Sequence, residues 1–347
     1  MRKILYLIIC LPILLLSACD VHEWPDTPAT ENLHLKLDYE TKITNWLHHY
    51  DGDQVIEQGI GNTYDNATEY GTMRYIIRTY PMKNARQTSP YYTHEFVLTK
   101  NVYDGYNHET TLALTPGSYA LMVWSDFVRD NNDYYYNPAN FSEITLQGEY
   151  VGNSDYRDAF RGTTSIEMVA DIIDEAPDTV NVTMQRPLAK YSVISTDLKE
   201  FIDKELEYWT RVANTRGELS PTRINTDEYN VSVYFSGYMP SAYNMNSDKP
   251  VDAKMGVMYK SRIDVQNENE AQLGYDYVFV NGSNSAVTVQ IKLTDKDDRQ
   301  LALSAPINIP LKRNHHTILK GSFLMEQASG GIKINPEFDG NHNIVIE

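Results

Sequence analysis

Leu33-His34-Leu35-Lys36-Leu37-Asp38-Tyr39, near the start of the chain, is the stretch that decides the fold. Apolar and polar side chains alternate along it, and successive side chains of a β-strand point to opposite faces of the sheet. The stretch therefore predicts a strand that is polar on one face. Its other face carries the apolar side chains of Leu33, Leu35, Leu37 and Tyr39.

Similar short runs recur along most of the chain. They lie at 73–77, 93–99, 119–124, 180–184, 190–195, 229–235, 275–280, 286–293, 307–311 and 317–324. Turn-forming pairs separate many of them, including Asp51-Gly52, Asp104-Gly105, Pro116-Gly117, Asn281-Gly282 and Gly330-Gly331. Many short strands with Gly, Asn, Asp and Pro between them predict a mainly β protein built from antiparallel β-sandwiches.

One segment has a helical period instead. Asp197 is placed as an N-cap with Glu200 three residues later, the arrangement of a capping box. The segment predicts a short amphipathic helix packed on the second sheet, with one apolar face formed by Leu198, Phe201, Ile202, Leu206 and Trp209. A further helical turn is predicted at 46–50.

Pro187 marks the predicted domain boundary. A strand ends near Met184, and Pro187 interrupts the chain before the next strand begins near Lys190. The prediction is an N-terminal β-sandwich domain at 32–186 and a C-terminal β-sandwich domain at 187–347, joined without a long linker.

The N-terminus has the pattern of a lipoprotein signal peptide. Two basic residues precede the apolar stretch 4–16, and Leu16-Ser17-Ala18-Cys19 follows. Small residues before a cysteine form a lipobox, so we predict a signal peptide at 1–18, lipidation of Cys19 and a Pro-containing tether at 19–31. An ordinary secretory signal and a membrane-anchor helix are the alternatives.

Charge and cysteine content narrow the function. The formal net charge is -17, and it becomes -19 without the signal peptide, which holds two of the 30 basic residues and none of the 47 acidic ones. This charge argues against nucleic acid as a partner. Cys10 would leave with the signal and Cys19 would be lipidated, so the sequence predicts no disulfide, no thiolate metal site and no cysteine nucleophile.

Catalytic and metal-binding motifs are absent from the sequence. It has no G-x-S-x-G, P-loop, H-E-x-x-H or G-x-G-x-x-G pattern. The adjacent pairs His48-His49 and His315-His316 would point to opposite faces of a strand, which disfavours a shared metal ion. Asp295–Arg299 lacks the spacing of a calcium loop and predicts a charged hairpin turn. We therefore predict no enzyme activity, cofactor or metal.

Tyr134, Tyr135 and Tyr136 form a run in a chain that holds 26 tyrosines and only nine phenylalanines. Exposed on a loop, these three rings could stack on sugars or contact a protein partner. Packing of the rings on their own sheet is the alternative.

Three short stretches resemble the fimbrillin superfamily, which forms the type V pili of Bacteroides-like bacteria. They are the lipobox with Asp20–Pro25, the boundary segment Arg186–Tyr191 with Ser195–Leu198, and the late strand Ile307–His315. The resemblance spans the chain through short, structural motifs. It implies two transthyretin-like sandwiches in tandem, and subunits that assemble when a strand of one fills a groove of another.

The resemblance also separates two kinds of subunit. Stalk pilins of the family lose their first strand to an Arg- or Lys-directed protease, whereas anchor subunits keep it and stay lipidated. Residues 43–73 contain no Lys or Arg, although Lys42 precedes them. We therefore expect an unprocessed anchor or accessory subunit at the outer membrane, with other fimbrial subunits as partners and a role in cell adhesion.

Two strands are candidates for exchange between subunits. The first carries Leu33, Leu35, Leu37 and Tyr39. The second is the C-terminal tail with Ile344, Val345 and Ile346, for which closure of its own sheet is the alternative. A surface glycan-binding lipoprotein that uses exposed tyrosines is the competing function. A secreted hydrolase is disfavoured, since no nucleophile or metal set emerges.

Overall fold

The computed structural model describes residues 30–49, 55–62, 71–101, 105–169, 178–282 and 284–326. The predicted signal peptide, Cys19, most of the tether and the tail with Ile344, Val345 and Ile346 lie outside these ranges. No helix in the described part of the chain is long and apolar enough to cross a membrane.

The described residues form 24 strands and one α-helix. The helix, α1, is Leu198–Arg216, and Asp155–Arg157 and Thr226–Glu228 are single 3-10 turns. The strands are β1 Glu31–Tyr39, β2 Lys42–His49, β3 Val55–Asn62, β4 Thr72–Lys83, β5 Arg86–Gln87, β6 His94–Asn101, β7 His108–Leu114, β8 Gly117–Arg129, β9 Asn132–Asp133, β10 Tyr136–Asn137, β11 Ile144–Leu146, β12 Ala159–Met168, β13 Asp178–Met184, β14 Leu188–Ser195, β15 Asn230–Phe235, β16 Met239–Asn244, β17 Lys249–Lys254, β18 Met258–Ser261, β19 Asp264–Val265, β20 Ala271–Phe279, β21 Asn284–Thr294, β22 Gln300–Leu303, β23 Ile307–Lys312 and β24 His315–Gly321.

The first β-sandwich pairs the sheet β13-β1-β7 with the sheet β12-β8-β4-β6, to which β5 and β9 add short pairings. One apolar core lies between the two sheets. Every long strand contributes alternate side chains to it, among them Leu35, Tyr75, Leu112, Val123, Phe160 and Val182. The prediction of a mainly β protein is confirmed.

The second β-sandwich pairs the sheet β19-β20-β14-β24-β2-β3 with the sheet β18-β15-β21-β22, and β23 also pairs with β21. Its core includes Tyr191, Val193, Val233, Leu273, Ile291 and Leu319. Helix α1 packs on this core through Leu198 and Phe201, as the apolar period predicts. With 19 residues, α1 is longer than the predicted short helix.

Helix α1 begins at the predicted residue, but its N-cap works differently from the predicted capping box. The Asp197 carboxylate accepts hydrogen bonds from Ser195 Oγ and from the backbone N–H groups of Leu324 and Met325. It makes no side-chain hydrogen bond to the first turn of the helix. Asp197 therefore ties the start of the helix to residues that follow the last strand.

Residues early in the chain take part in the second sandwich. Strand β2 lies between β24 and β3, although only Glu40 and Thr41 separate it from β1 in the first sandwich. A domain boundary between residues 186 and 187 would therefore separate β2 and β3 from the strands with which they form a sheet, β24, β14, β20 and β19. The helical turn predicted at 46–50 is wrong, since Trp46 lies within β2.

Three strand pairs in the described part of the chain are parallel, whereas the sequence predicted antiparallel sandwiches. They are β1 with β13, β14 with β24, and β2 with β24. Parallel pairing requires a long connection between the strands, and here the connections run through the other sandwich or across the opposite sheet. Short turns in a sequence indicate antiparallel neighbours, so they did not reveal these parallel pairs.

A third apolar cluster joins the two sandwiches. The small sheet β10-β11-β16-β17 takes two strands from each half of the chain. It covers the outer face of β4 and β8, where Ile76 and Trp124 lie, and it also meets β20 of the second sandwich. Its buried side chains include Trp124, Tyr136, Phe141, Tyr243 and Phe279.

Candidate functional site

Strand β1 occupies a groove between β7 and β13. It pairs in antiparallel register with β7 from Glu31 opposite Leu114, and in parallel register with β13 up to Tyr39 opposite Met184. Both edges of the strand are thus hydrogen-bonded over most of its length. A groove that binds a strand in this way is the structural requirement for strand addition.

The apolar face of β1 is fully buried. Leu33, Leu35 and Leu37 are at most 1% exposed, whereas His34 and Lys36 between them are partly exposed on the other face. Fully burying one leucine contributes roughly 1.5–3 kcal/mol relative to leaving it in water. The structure thus places the three predicted leucines together in the core. Their alternation in the sequence was sufficient to find them.

Tyr39 closes the groove at the end of β1. Its ring meets the edge of the Tyr75 ring at 6.1 Å and that of the Phe160 ring at 5.0 Å between centroids. Its backbone N–H donates to Asn107 Oδ1 at 3.1 Å. Tyr39 therefore belongs to the same core as the leucines, and it marks the place where β1 leaves the first sandwich.

Arg186 fixes the crossing from β1 to β2. Its side chain is fully buried and donates to the backbone oxygens of Glu40, Thr41 and Lys42. Its Nε donates to the buried Asp158 carboxylate at 2.7 Å. One guanidinium thus binds three consecutive carbonyls of the crossing chain. We name Arg186, Asp158 and the backbone of 40–42 the crossing clamp.

Asn314, in the turn before β24, also binds the arginine of the crossing clamp. Arg186 donates to Asn314 Oδ1 at 2.7 Å, and the Asn314 N–H donates to the oxygen of Leu188. Arg186 and Asn314 come from two of the stretches that carry the fimbrillin resemblance. These stretches, 128 positions apart in sequence, meet at one point.

Two more arginines of the first half reach carboxylates of the second half. Arg157 Nε lies 2.8 Å from Asp276 Oδ1, and both side chains are almost completely buried. Arg161 Nε donates to Asp248 Oδ1 at 2.8 Å, and Arg313 also binds Asp248. These ion pairs link the two sandwiches beside the crossing clamp.

Asp248 is the group of this junction whose titration the pairing changes most clearly. Burial alone would raise its pKa, but hydrogen bonds from Arg313 and Arg161 outweigh that effect and lower the pKa to about 2. Asp248 therefore stays ionised at any ordinary pH.

The family described as "family of unknown function (DUF6562)" matches residues 26–347. The chain belongs to this family. No curated protein matches the chain significantly.

Several solved structures are similar to this DUF6562 protein at low identity. A fimbrial anchor protein, Mfa2 from Porphyromonas gingivalis, is 11% identical with a TM-score of 0.38, over 79% of this chain and 82% of that one. A proposed adhesin from Bacteroides thetaiotaomicron is 11% identical with a TM-score of 0.42, over 90% and 98%. A proposed polysaccharide-binding protein from the same species is 10% identical with a TM-score of 0.41, over 80% of each chain.

Fimbrial proteins and adhesins of Bacteroides-type bacteria are thus among the solved structures that are similar to this DUF6562 protein. TM-scores below 0.5 carry no argument about function.

The tyrosine run of this DUF6562 protein is not an exposed platform. Tyr135 is 6% exposed and Tyr136 is fully buried, and the Tyr136 hydroxyl donates to the oxygen of Arg157. Tyr134 is partly buried and lies under Arg129, whose guanidinium is 3.9 Å from its ring centroid. Of the two alternatives that the sequence left open, packing of the rings therefore describes Tyr135 and Tyr136, which lie in the cluster between the sandwiches.

No group of three or more His, Cys, Asp or Glu side chains in the described ranges could hold a metal ion. Asp295 instead closes a turn, where its carboxylate accepts from the N–H groups of Asp297 and Arg299 and pairs with the Arg299 side chain. This turn connects β21 to β22, as the sequence predicted for the charged segment.

Sequence reasoning missed the role of Arg186. Its partners lie up to 146 positions away, so no local pattern reveals them. Its place directly before Pro187, two residues after a strand, gives no sign that it is buried.

Proposed function

We propose that this protein is a non-enzymatic, lipid-anchored fimbrial subunit, an anchor or accessory pilin that supports cell adhesion from the outer membrane. The occupied groove around β1 is the observation that carries the proposal. A subunit at the base of a pilus must remain joined to its own lipidated N-terminus, and β1 begins 12 residues after Cys19.

Protection of the chain after β1 supports a subunit that keeps this strand. Proteases cleave preferentially at exposed, flexible segments. Lys42 instead lies in β2, its oxygen accepts from the buried Arg186, and its neighbours in sequence pair with β24 and β3. Residues 43–73 contain no Lys or Arg. A Lys- or Arg-directed protease would therefore meet, at Lys42, an exposed side chain on a backbone that is held in the sheet by hydrogen bonds.

Assembly with other fimbrial subunits is the second part of the proposal. The transthyretin-like tandem architecture that the resemblance implies would allow strand addition at a groove of this chain or of its partner. The tail with Ile344, Val345 and Ile346 is the segment that we propose to be donated to a partner or paired at a sheet edge. In a strand, Ile344 and Ile346 would point to the same face and could fill a groove as Leu33, Leu35 and Leu37 fill theirs.

Intact mass spectrometry of the protein extracted from membranes tests the anchor. We expect a mass that begins at Cys19 and carries acyl chains, and we expect the Cys19→Ser variant to lose the lipid and the membrane association. A mature N-terminus near residue 43 would overturn the proposal that β1 is retained.

Co-purification with sheared fimbriae tests the assembly. The wild-type protein should be recovered in the fraction that contains the bases of the fimbriae. Deletion of 344–346 should reduce this recovery and leave the lipidation of the protein unchanged. If the same fraction contained as much of the protein when it was prepared from cells without fimbriae, the protein would not be a fimbrial subunit.

A further inference from the structure

The first strands after the N-terminal tether pass through both sandwiches. Strand β1 is the inner strand between β7 and β13, and strand β2 is an inner strand between β24 and β3. Only Glu40 and Thr41 lie between them. The segment Glu31–His49 is thus built into one sheet of each sandwich, and we name it the double stitch.

The direction of β1 determines how tension on the tether would act. Its first residue, Glu31, lies opposite Leu114, close to the turn before β8, whereas Tyr39 lies at the crossing clamp. At about 3.3 Å per residue, the two ends are about 26 Å apart. Tension applied at Thr30 and opposed by the second sandwich therefore runs along the strand axis.

Tension along the axis of a strand acts on all its cross-strand hydrogen bonds together. Strand β1 is bonded on one edge from Glu31 to Leu37 and on the other from Leu33 to Tyr39. Strand β2, next in the path, is bonded to β24 from Thr44 to His49 in parallel register. Tension across a strand would instead break one pair after another, at a lower barrier for each.

The crossing clamp holds the chain where the two stitches meet. Arg186 binds the carbonyls of Glu40, Thr41 and Lys42 from a fully buried position, with its charge balanced by Asp158. A charged hydrogen bond is roughly twice as strong as a neutral one. Slippage of β1 toward the tether would have to break these bonds as well as those of the strand.

We propose that the double stitch resists mechanical force: it transmits tension from the N-terminal tether into both sandwiches, and its strands stay paired in their sheets. The biological source of the tension rests on the proposed function, since it requires an anchored tether. The mechanical property itself belongs to the fold and can be measured on the protein without lipid. The fold would then protect the groove around β1 when an attached partner pulls on the subunit.

Single-molecule force spectroscopy with two pairs of attachment points tests the proposal. The protein is produced without residues 1–18, so that Cys19 is a free thiol, and a second cysteine is introduced. Asp297→Cys lies in the exposed turn after β21, at the end of the second sandwich away from the crossing clamp. Tyr91→Cys, where the side chain is 80% exposed, lies near the end of the first sandwich where β1 begins.

The two pairs load the same strand differently. The pair Cys19 and Asp297→Cys pulls β1 along its axis, whereas the pair Cys19 and Tyr91→Cys peels it from its first residue. At a fixed force we expect the first opening to be about a hundredfold slower along the axis, which corresponds to about 2.7 kcal/mol in barrier height. Equal opening rates for the two pairs would overturn the proposal.

Two matched substitutions test the crossing clamp. Arg186→Lys keeps a positive charge beside Asp158 but cannot bind three carbonyls at once. It should speed opening along the axis by at least about tenfold and leave peeling unchanged. Arg161→Lys changes another arginine of the junction that does not contact residues 40–42, so it should change neither rate more than about threefold.

The outcome separates the mechanical proposal from the proposed function. Since the attachment uses an unlipidated Cys19, the force measurement stands whether or not the cell lipidates the protein. A protein that is acylated in the cell but opens at equal rates in the two force measurements would support the lipid anchor and contradict the mechanical role of the double stitch.

Discussion

The groove around β1 and the crossing clamp lie at two ends of the same short path, but different forces hold them. In the groove, Leu33, Leu35 and Leu37 are buried among other apolar side chains. At the clamp, one buried arginine satisfies three carbonyls and one carboxylate. Apolar burial is non-directional, and its contribution to stability falls in proportion to the apolar area that is lost. Removal of one partner of a buried ion pair instead costs several kcal/mol, roughly 3–5, because the other charge stays buried without compensation.

Arg186→Ala should have the largest effect, because it removes the donor of several buried groups together. It leaves the Asp158 carboxylate buried without this partner, and we expect a loss of about 3–5 kcal/mol in the free energy of unfolding, measured with urea. The double variant Arg186→Ala with Asp158→Asn should recover part of this loss. A loss below about 1 kcal/mol for the single variant would show that the clamp is not a main support of the junction.

Leu35→Ala should have the next largest effect, since it leaves a cavity in the core of the first sandwich. Leu35 is fully buried, and the expected loss is about 3 kcal/mol. Lys36→Ala is the matched control on the same strand. It removes only a surface ion pair to Glu109 and should cost less than about 0.5 kcal/mol. Similar losses for the two variants would contradict the assignment of the faces of β1.

Gly162→Ala should have an intermediate effect. A Cβ atom at Gly162 would lie 2.5 Å from Val182 Cγ1 and 2.7 Å from Met184 Sδ, so β12 and β13 could not approach as closely. Overpacking of this kind costs about 1–3 kcal/mol. At Gly237, a Cβ would meet nothing closer than 3.8 Å, and Gly237→Ala should therefore change the thermal midpoint very little.

Asp248→Asn should have the smallest effect and a distinct dependence on pH. The folded-state pKa of about 2 lies below the ordinary value of 3.8, so the carboxylate stabilises the fold above about pH 4 and loses this contribution as pH falls toward 2. Because the side chain is 35% exposed, we expect only about 1 kcal/mol at neutral pH. The difference between wild type and variant should disappear near pH 2, and a constant difference would indicate a change in packing instead.

The sequence was informative where structure depends on neighbours in the chain. The alternation from Leu33 to Tyr39 predicted the strand and its buried face, and Asp197 predicted the first residue of helix α1. Turn residues predicted the hairpin at Asp295–Arg299. In each case the deciding contacts lie within a few residues, so a local pattern is enough to reveal them.

The sequence was silent where structure depends on distant partners. Nothing near Trp46 indicates that its strand pairs with β24 rather than with the first sandwich. In the sequence, the segment with Tyr135 and Tyr136 is similar to a surface loop. The burial of these two rings depends on strands from the other half of the chain, which the local sequence does not indicate. The same holds for Arg186, whose partners come from three separate segments.

The parallel pairing of β2 with β24 has a consequence for the time at which the protein can fold. Thr44 lies opposite His315, so the second sandwich needs residues from both extremes of the described chain before its larger sheet is complete. Contacts of such high sequence separation slow folding and lengthen the life of partly folded species. Under the export that we propose, β2 would lack its partner β24 until the residues of β24 had been synthesised and moved across the membrane.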